Sequence, residues 1–385
     1  MSGQSGLLKK LLNAVSSSKL ALVLVLFVMI CAVIGVFIPQ QGKINNYDIQ
    51  NWQNTHPSIT AILKPVGLFS AFHSWPFIIV LIALAVNITT GAVLKFKKEG
   101  AFAAIKGPDA LKMTGFLVLH IALLTFFIGG FMTSTLKLNA DIVITEGETF
   151  VDHPSSYSRF AKGPLRPKTQ KDFILLLKSV QVDYEKDKYK AGVTSSLEVY
   201  EKNKKIADAV IKANQPFSYK DMTFTINGAG FSPRVAIYEN ESNAFLFESY
   251  VTLRTLISEK GNTYDNQLLL PFLKNQTFVT LYPDHKADFG KVVKTSEVPN
   301  NPILIIEQKD ENGNVLLKEH LPLGEKVVVD DVTFVFKELK QWASFKVIAD
   351  PGYPVICAAL VLGLLALAIK YIPKSLKGAK KSTAP

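Results

Sequence analysis

Cysteine is scarce in this sequence, which has two among its 385 residues. Cys31 and Cys357 both fall inside long apolar runs, so the segment of residues 135–353 contains none. That segment therefore has neither a disulfide nor thiol chemistry of its own. If the protein acts in a redox pathway, another protein must supply the thiols.

Residues 135–353 also lack the common signatures of catalysis. No Gly-rich phosphate loop occurs there, and the histidines show no metal-ligand spacing such as His-x-x-x-His. We interpret His153, His285 and His320 as surface or turn residues. Acids and lysines are mixed along the segment, as on a solvated face. Because no nucleophile, base and metal set is clustered, we predict no catalytic residue.

Acidic residues are missing from four apolar runs, each close to the ~20 residues that cross a bilayer as a helix. These runs concentrate the hydrophobic residues, which make up 48% of the chain at a mean hydropathy of +0.20. They cover residues 20–38, 75–94, 113–132 and 354–371. The first is not followed by a small-x-small cleavage site, which favours a retained helix over a signal peptide. We predict four transmembrane helices.

Lysines are concentrated at residues 1–19, at residues 95–112 and in the C-terminal tail. Thirteen lysines against two acids in these segments account for the net charge of +11 of the whole chain. The positive-inside rule then puts both termini and the 95–112 loop in the cytoplasm, and residues 39–74 and 135–353 outside. The basic charge reflects this topology and contact with the lipid bilayer, and we predict no nucleic-acid binding.

The outer segment reads as mostly β. Stretches rich in Val, Ile, Phe and Thr predict strands at residues 173–184, 195–201, 222–230 and 332–340. Residues 303–321 predict a hairpin that turns at Asn312-Gly313. No long helical period separates the strands, so a β-sandwich or open barrel is expected.

The predicted architecture is therefore a membrane protein with one large β-rich domain inserted between its third and fourth spans. Residues 1–134 form a membrane domain with three helices, and residues 135–353 form the extracytoplasmic domain. Residues 354–385 supply the fourth helix and a basic cytoplasmic tail.

His120 is the only ionisable residue in the body of a predicted span. At ~1.5 Å rise per residue it lies roughly 10 Å from Met113 at the cytoplasmic end. Three interpretations stay open: hydrogen-bonding to another helix, ligation of haem or another metal, and proton relay. His73, beside the interfacial anchor Trp75 at the outer mouth of the second span, is the second candidate ligand or a headgroup-level polar residue.

Six blocks of sequence, in this order along the whole chain, resemble the ResB (CcsB) family of System II cytochrome c biogenesis proteins. The blocks are IGVFIPQ (34–40), GLFSAFHSWPF (67–77), GFLVLHIALLTFFIGG (115–130), YKAGVTSSLEVYE (189–201), IKANQPFSYKDMTFTINGAG (211–230) and FKVIADPGYPVI (345–356).

The resemblance implies a subunit that is not a complete enzyme alone. With a CcsA (ResC)-type membrane partner it would carry haem b across the bacterial inner membrane. The haem would be presented on the periplasmic side for attachment to the Cys-x-x-Cys-His thiols of apocytochrome c. Other proteins of the pathway would keep those thiols reduced. His120 matches the intramembrane histidine of the family and would be one axial ligand of haem iron, the partner supplying the other.

The main alternative is a membrane-anchored extracytoplasmic scaffold or sensor with no haem role, in which His120 is dispensable. A transporter would require several buried charges or broken helices, and the spans carry one buried histidine. An autonomous enzyme of the outer domain is disfavoured by its lack of clustered catalytic groups.

Overall fold

The computed structural model describes residues 10–41, 44, 46–100, 106, 110–167, 171–185, 189–258, 261–288 and 291–382. Its principal α-helices are α1 (Ser18–Phe37), α2 (Asn46–Thr55), α3 (Pro57–Leu63), α4 (Trp75–Lys98), α5 (Ala110–Leu136) and α6 (Gly352–Ser382), with a short 3₁₀ helix at Leu68–His73. Four of these helices have stretches long and apolar enough to span a membrane: Ser18–Phe37, Trp75–Lys98, Ala110–Leu136 and Gly352–Tyr371. The prediction of a multi-pass membrane protein is confirmed.

The chain divides into two compact units. The membrane unit comprises residues 1–139, 159–168 and 348–385, and the β unit comprises residues 140–158 and 169–347. The mostly β part thus lies between the third and fourth spanning helices in the chain, as predicted. The connection between α1 and α4 is not a simple loop, because α2, α3 and the 3₁₀ helix occupy most of it.

A line of small residues joins α5 to α6. Gly115, Ala122 and Gly129 recur every seventh residue of α5 and are buried, and Gly352, Ala359 and Ala366 do the same on α6. A Cβ on Gly129 would lie 2.9 Å from the backbone nitrogen of Ile356. The two backbones therefore approach as closely as glycine allows, which is the usual means of packing helices in lipid. We call these six residues the small-residue seam.

Asp350 links the C-terminal end of α5 to the start of α6. Its Oδ1 accepts the backbone N–H groups of Gly352 and Tyr353 at 3.1 and 3.2 Å, which caps the start of α6. The hydroxyl of Thr133 on α5 donates to the same oxygen at 2.8 Å. Lys137 forms an ion pair with Oδ2 at 3.2 Å. One carboxylate thus serves both helices.

Strands make up most of the rest of the chain. They are β1 (Leu138–Thr145), β2 (Thr149–Val151), β3 (Arg159–Lys162), β4 (Ile174–Glu185), β5 (Tyr189–Glu201), β6 (Lys204–Lys212), β7 (Phe217–Tyr219), β8 (Met222–Glu239), β9 (Phe245–Tyr250), β10 (Arg254–Ser258), β11 (Gly261–Leu268), β12 (Gln276–Tyr282), β13 (Asp284–Asp288), β14 (Lys291–Ser296), β15 (Ile303–Lys309), β16 (Val315–Pro322), β17 (Lys326–Val329) and β18 (Val332–Ala349).

Two sheets share the main core of the β unit. In one, β1, β18, β8 and β7 are neighbours in that order, with β17 paired to β18 and β9 to β8. In the other the order is β10-β11-β12-β15-β16. Phe231, Tyr264, Phe334 and Phe336 are fully buried in the cluster that both sheets contribute to. This is the arrangement of a β-sandwich. A four-stranded sheet (β2-β4-β5-β6) and the β13-β14 hairpin complete the unit.

The predicted hairpin is confirmed. Strands β15 and β16 pair antiparallel up to Lys309 opposite Val315. Gly313 has a φ of +85°, which the turn requires. The carboxylate of Asp310 accepts the N–H groups of Asn312 and Asn314 at 2.9 and 2.8 Å. The Asn314 side-chain amide also donates to this carboxylate at 2.9 Å. That bond first, and then the backbone bonds, lower the pKa of Asp310 because they stabilise its charged form.

A buried carboxylate ties β14 to β11. Glu297 accepts hydrogen bonds from the Tyr264 hydroxyl at 2.7 Å and from the Asn262 backbone at 3.0 Å, and Lys294 pairs with it at 2.7 Å. Burial, reinforced by the Glu297 carboxylate, raises the pKa of Tyr264. The network is a fully satisfied structural element of the β unit.

The close contact at the small-residue seam can be tested with a matched pair of substitutions on α5. We expect Gly129→Ala to destabilise the protein by about 1–3 kcal/mol, because its methyl group would meet the backbone of α6. Gly130→Ala gains the same helix propensity but meets no atom within 4 Å. Thermal unfolding in detergent should therefore show a lower midpoint for Gly129→Ala than for Gly130→Ala. Equal midpoints would contradict the close approach.

Candidate functional site

His120 lies on a second stripe of α5, about 160° around the helix from Ala122 of the small-residue seam. Met113 and Ser134 occupy the same stripe at seven-residue multiples, and both are buried. Phe127, one heptad after His120, packs against the cluster that Cys31 of α1 forms with Phe77 and Leu81 of α4. The stripe that carries His120 is therefore turned towards α1 and α4.

The tautomer of His120 is fixed by its own helix. Its Nδ1 lies 2.8 Å from the carbonyl oxygen of Phe116. A carbonyl oxygen only accepts, so Nδ1 carries the hydrogen and the neutral ring keeps a lone pair on Nε2. Among the described residues Nε2 has no hydrogen-bond partner, and the side chain is half-buried. When a histidine ligates a metal through one ring nitrogen, the other ring nitrogen commonly donates a hydrogen bond of this kind, which orients the ring.

This geometry bears on the three interpretations of His120. Interhelical hydrogen-bonding needs a partner on another helix, and the bond that His120 makes is to its own preceding turn. Proton relay needs a second titratable group within hydrogen-bond reach, and none is found within the described part of the chain. The arrangement favours a ligand.

Two neighbours extend the site towards the Lys95 end of α4. The ring of Phe116 lies 4.1 Å from that of His120, centre to centre. The ammonium group of Lys95 lies 4.3 Å from the centre of the Phe116 ring on the other helix. One aromatic ring thus separates the Lys95 cation from the imidazole. This arrangement suits a ligand with an apolar body around a metal ion and an acid group at its edge.

His73 ends the 3₁₀ helix that precedes α4. Its Nδ1 lies 2.6 Å from the carbonyl oxygen of Ser134 on α5, so its Nε2 also keeps a lone pair. Ser134 follows His120 by fourteen residues, roughly 21 Å along the helix axis. The structure therefore does not bring the two predicted ligands together.

The chain segment that carries His73 is held by residues of the IGVFIPQ block. Gln40 is 5% exposed, and its Oε1 accepts the N–H of Ala71 at 3.0 Å while its Nε2 donates to Leu68 at 3.1 Å. The ring of Phe72 occupies the space where a Cβ on Gly35 would lie. The IGVFIPQ block therefore supports the His73 segment, a role that the sequence alone did not predict.

His56 lies in the same connection and was not predicted to be a candidate ligand. Its ring stacks on Trp52 at 4.4 Å, and its Nδ1 lies 3.0 Å from the carbonyl oxygen of Trp52. In the β unit, His285 makes a similar bond to Asn301 at 2.7 Å. The Nδ1 bond alone is therefore not distinctive, and the position inside a span is what distinguishes His120.

No other ligand set emerges from the part of the chain that the structure describes. Within it, no three residues of His, Cys, Asp or Glu are grouped to hold a metal ion. In the β unit, His285 lies on β13, His320 lies on β16, and His153 lies in the connection after β2. Both cysteines are free thiols within spanning helices.

Comparison with known families gives one match. The model of the ResB-like family matches residues 18–98 and 90–375, which together cover most of the chain. The matched stretches include all four spanning helices, both candidate histidines and the β unit. No curated protein matches the chain.

The support given by Gln40 can be tested by hydrogen exchange. We expect Gln40→Ala to leave the buried N–H of Ala71 without an acceptor, at about 1–3 kcal/mol. Protection of the Ala71 amide should fall by tenfold or more. Gln41→Ala is the matched control, because the exposed Gln41 side chain bonds, within the described part of the chain, only to the hydroxyl of Ser70. Unchanged protection in Gln40→Ala would show that the segment is held by other contacts.

Proposed function

We propose that this protein, which belongs to the ResB-like family, is the haem-handling membrane subunit of a cytochrome c synthetase. In this proposal it works with a CcsA (ResC)-type integral membrane partner. The pair carries haem b across the bacterial inner membrane and presents it to apocytochrome c on the periplasmic side. His120 is the residue of this chain that ligates haem iron during the crossing.

One observation carries the proposal. His120 stands in a spanning helix with Nδ1 committed to the Phe116 carbonyl and Nε2 without a partner among the described residues. A polar nitrogen left without a partner in hydrocarbon is costly. Iron ligation would satisfy it, and neutral imidazole is a common axial ligand of haem.

The surroundings of His120 fit a haem. The Phe116 ring offers an apolar face beside the imidazole, and Lys95 offers a cation to a propionate carboxylate beyond that ring. A second axial ligand would come from the partner, because the other candidate, His73, is bonded to Ser134, which lies roughly 21 Å from His120 along α5. This is why the chain is proposed to act as one half of a site.

The sidedness of the proposal follows from charge. The lysine-rich ends of α4 and of the chain would lie in the cytoplasm, and the β unit would lie in the periplasm. Haem would enter beside Lys95 and leave on the far side. Attachment joins the haem vinyl groups to the thiols of apocytochrome c. The two cysteines of this chain lie in spans, so other proteins of the pathway would keep the substrate thiols reduced.

The proposal is tested by the visible spectrum of the protein co-purified with its partner. We expect His120→Ala to lose or weaken the Soret band and the reduced α and β bands, since one axial ligand is gone. Added imidazole should restore them. His285→Ala is the control, because that ring makes a similar Nδ1 bond in the β unit. An unchanged spectrum in His120→Ala would favour the scaffold or sensor alternative.

Lys95 gives a second test in the same complex. We expect Lys95→Gln to weaken haem retention by about threefold, the size typical of one partly exposed ion pair. Lys97→Gln removes an equal charge from the same helix end and should have a smaller effect. The measurement is the haem-to-protein ratio after washing with a haem-binding competitor. Equal losses in both variants would mean that only the general basic charge matters.

A further inference from the structure

The connection between α1 and α4 exposes several large apolar side chains at and after α3. Ile59 and Ile62 belong to α3, Val66 lies in the turn that follows it, and Trp75 is the first residue of α4. Ile62 is 71% exposed and Trp75 is 57% exposed. We call these four residues the α3 patch. Exposed apolar residues that are grouped rather than scattered mark an interaction surface.

The isoleucines of the α3 patch make α3 amphipathic, with its apolar side turned outwards. Ile59 and Ile62 lie about 60° apart around the helix, whereas Lys64 lies about 140–160° from both. Thr60, on another side of the helix, donates its hydroxyl to the carbonyl oxygen of Gln53 at 3.2 Å. A helix in water normally turns its apolar side towards the protein core, so the arrangement of α3 suits apolar surroundings outside the protein.

The α3 patch continues an exposed apolar stripe of the spanning helix α4. The members of this stripe recur at positions i, i+4, i+7 and i+11, which lie on one side of a helix: Trp75, Ile79, Ile82 and Val86. A Cβ on Gly67 would lie 3.5 Å from the Cβ of Ser74, the residue before Trp75. Val66 and Trp75 also line the same cleft. The patch therefore begins where the stripe of α4 ends.

The rest of the connection holds α3 in this position. Gly67 has a φ of +72°, a conformation that favours glycine and lets the chain reverse after α3. Phe69 is buried and packs edge-on against Trp52 of α2 at 5.8 Å. Gln40 bonds to Leu68 and Ala71 on the far side of the same turn. The level of α3 relative to the start of α4 is thus fixed by the fold.

We infer that α3 is an interfacial anchor that binds the lipid bilayer beside the start of α4. Ile59 and Ile62 insert below the lipid phosphates, and Lys64 reaches the phosphate oxygens from the opposite side of the helix. Trp75 lies at the level of the headgroups, as tryptophan commonly does at the end of a span. By the positive-inside rule this is the outer leaflet. Lipid is the occupant that the stripe selects, because the patch adjoins a surface of α4 that already faces hydrocarbon.

Nitroxide labels on the full chain in phospholipid nanodiscs test this inference. Ile62→Cys carries the label on the apolar side of α3. Ala61→Cys is the matched control, because Ala61 is also exposed but lies about 160° around the helix from Ile59. Collision rates with oxygen and with a water-soluble nickel complex give the depth of each label. We expect about 5–10 Å below the headgroups for the label at 62, and a label in water at 61. The chain without an added cysteine supplies the baseline for Cys31 and Cys357.

An added charge separates insertion from mere proximity to the bilayer. With the label at 62, Ile59→Glu should bring it out of the acyl region into water, since a carboxylate is costly in hydrocarbon. Ala61→Glu adds the same charge on the other side of α3 and should leave the depth of the label unchanged.

Two outcomes would overturn the inference. Labels at 61 and 62 that are both in water, with equal access to the nickel complex, would show that α3 stands clear of the bilayer. A label at 62 that is in water in the chain alone, and becomes shielded from both reagents when the CcsA (ResC)-type partner is added, would identify the patch as a protein contact. A label at 62 that stays in the acyl region with and without the partner would support the anchor.

Discussion

The close backbone contact between α5 and α6 is the constraint on which the membrane unit depends. Without a hydrophobic driving force in lipid, two helices associate through packing and hydrogen bonds, and small side chains permit both. Gly129 and Gly352 bring the backbones together, and Asp350 joins the ends. Because this contact uses one side of α5, the stripe of His120 and Phe127 is left to face α1 and α4. The packing of α5 against α6 thus determines the orientation of His120, although His120 takes no part in that packing.

The same helix relates the two candidate ligands. His120 belongs to α5, and His73 is bonded to the carbonyl oxygen of Ser134 near the end of α5. The rigid rise of an α-helix sets their separation along the axis at roughly 21 Å, most of the thickness of the hydrocarbon layer. In both rings Nδ1 is committed to a carbonyl oxygen, which leaves Nε2 for a ligand. One helix therefore carries one candidate histidine within its span and holds the other near its C-terminal end, and the two rings make the same kind of Nδ1 bond.

Much of the fold was predictable because its signals are local. Hydropathy over ~20 residues predicts a span, and Asn312-Gly313 predicts a hairpin, without knowledge of any distant residue. The position of His120 inside a spanning helix could be predicted for the same reason. The roles of Lys95 and Gln40 were not predicted, because they depend on contacts with Phe116 and Ala71, each more than 20 residues away in the chain. The seven-residue spacing of Gly115, Ala122 and Gly129 is visible in the sequence. The small residues of α6 that pack against them lie more than 200 residues later, so their pairing could not be predicted.

The Nε2 atom of His120, which has no partner among the described residues, links the stability of the membrane unit to its proposed cargo. A nitrogen that lacks a partner in an apolar environment raises the free energy of the folded chain when it is alone. Any ligand that binds only the folded state lowers that free energy in proportion to the logarithm of its concentration over its dissociation constant. Haem shared with a partner would therefore stabilise this chain and the assembly together. In the proposed arrangement, this chain supplies one ligand and the partner supplies the other. Bound haem would therefore favour association of the two chains, and loss of haem would weaken it.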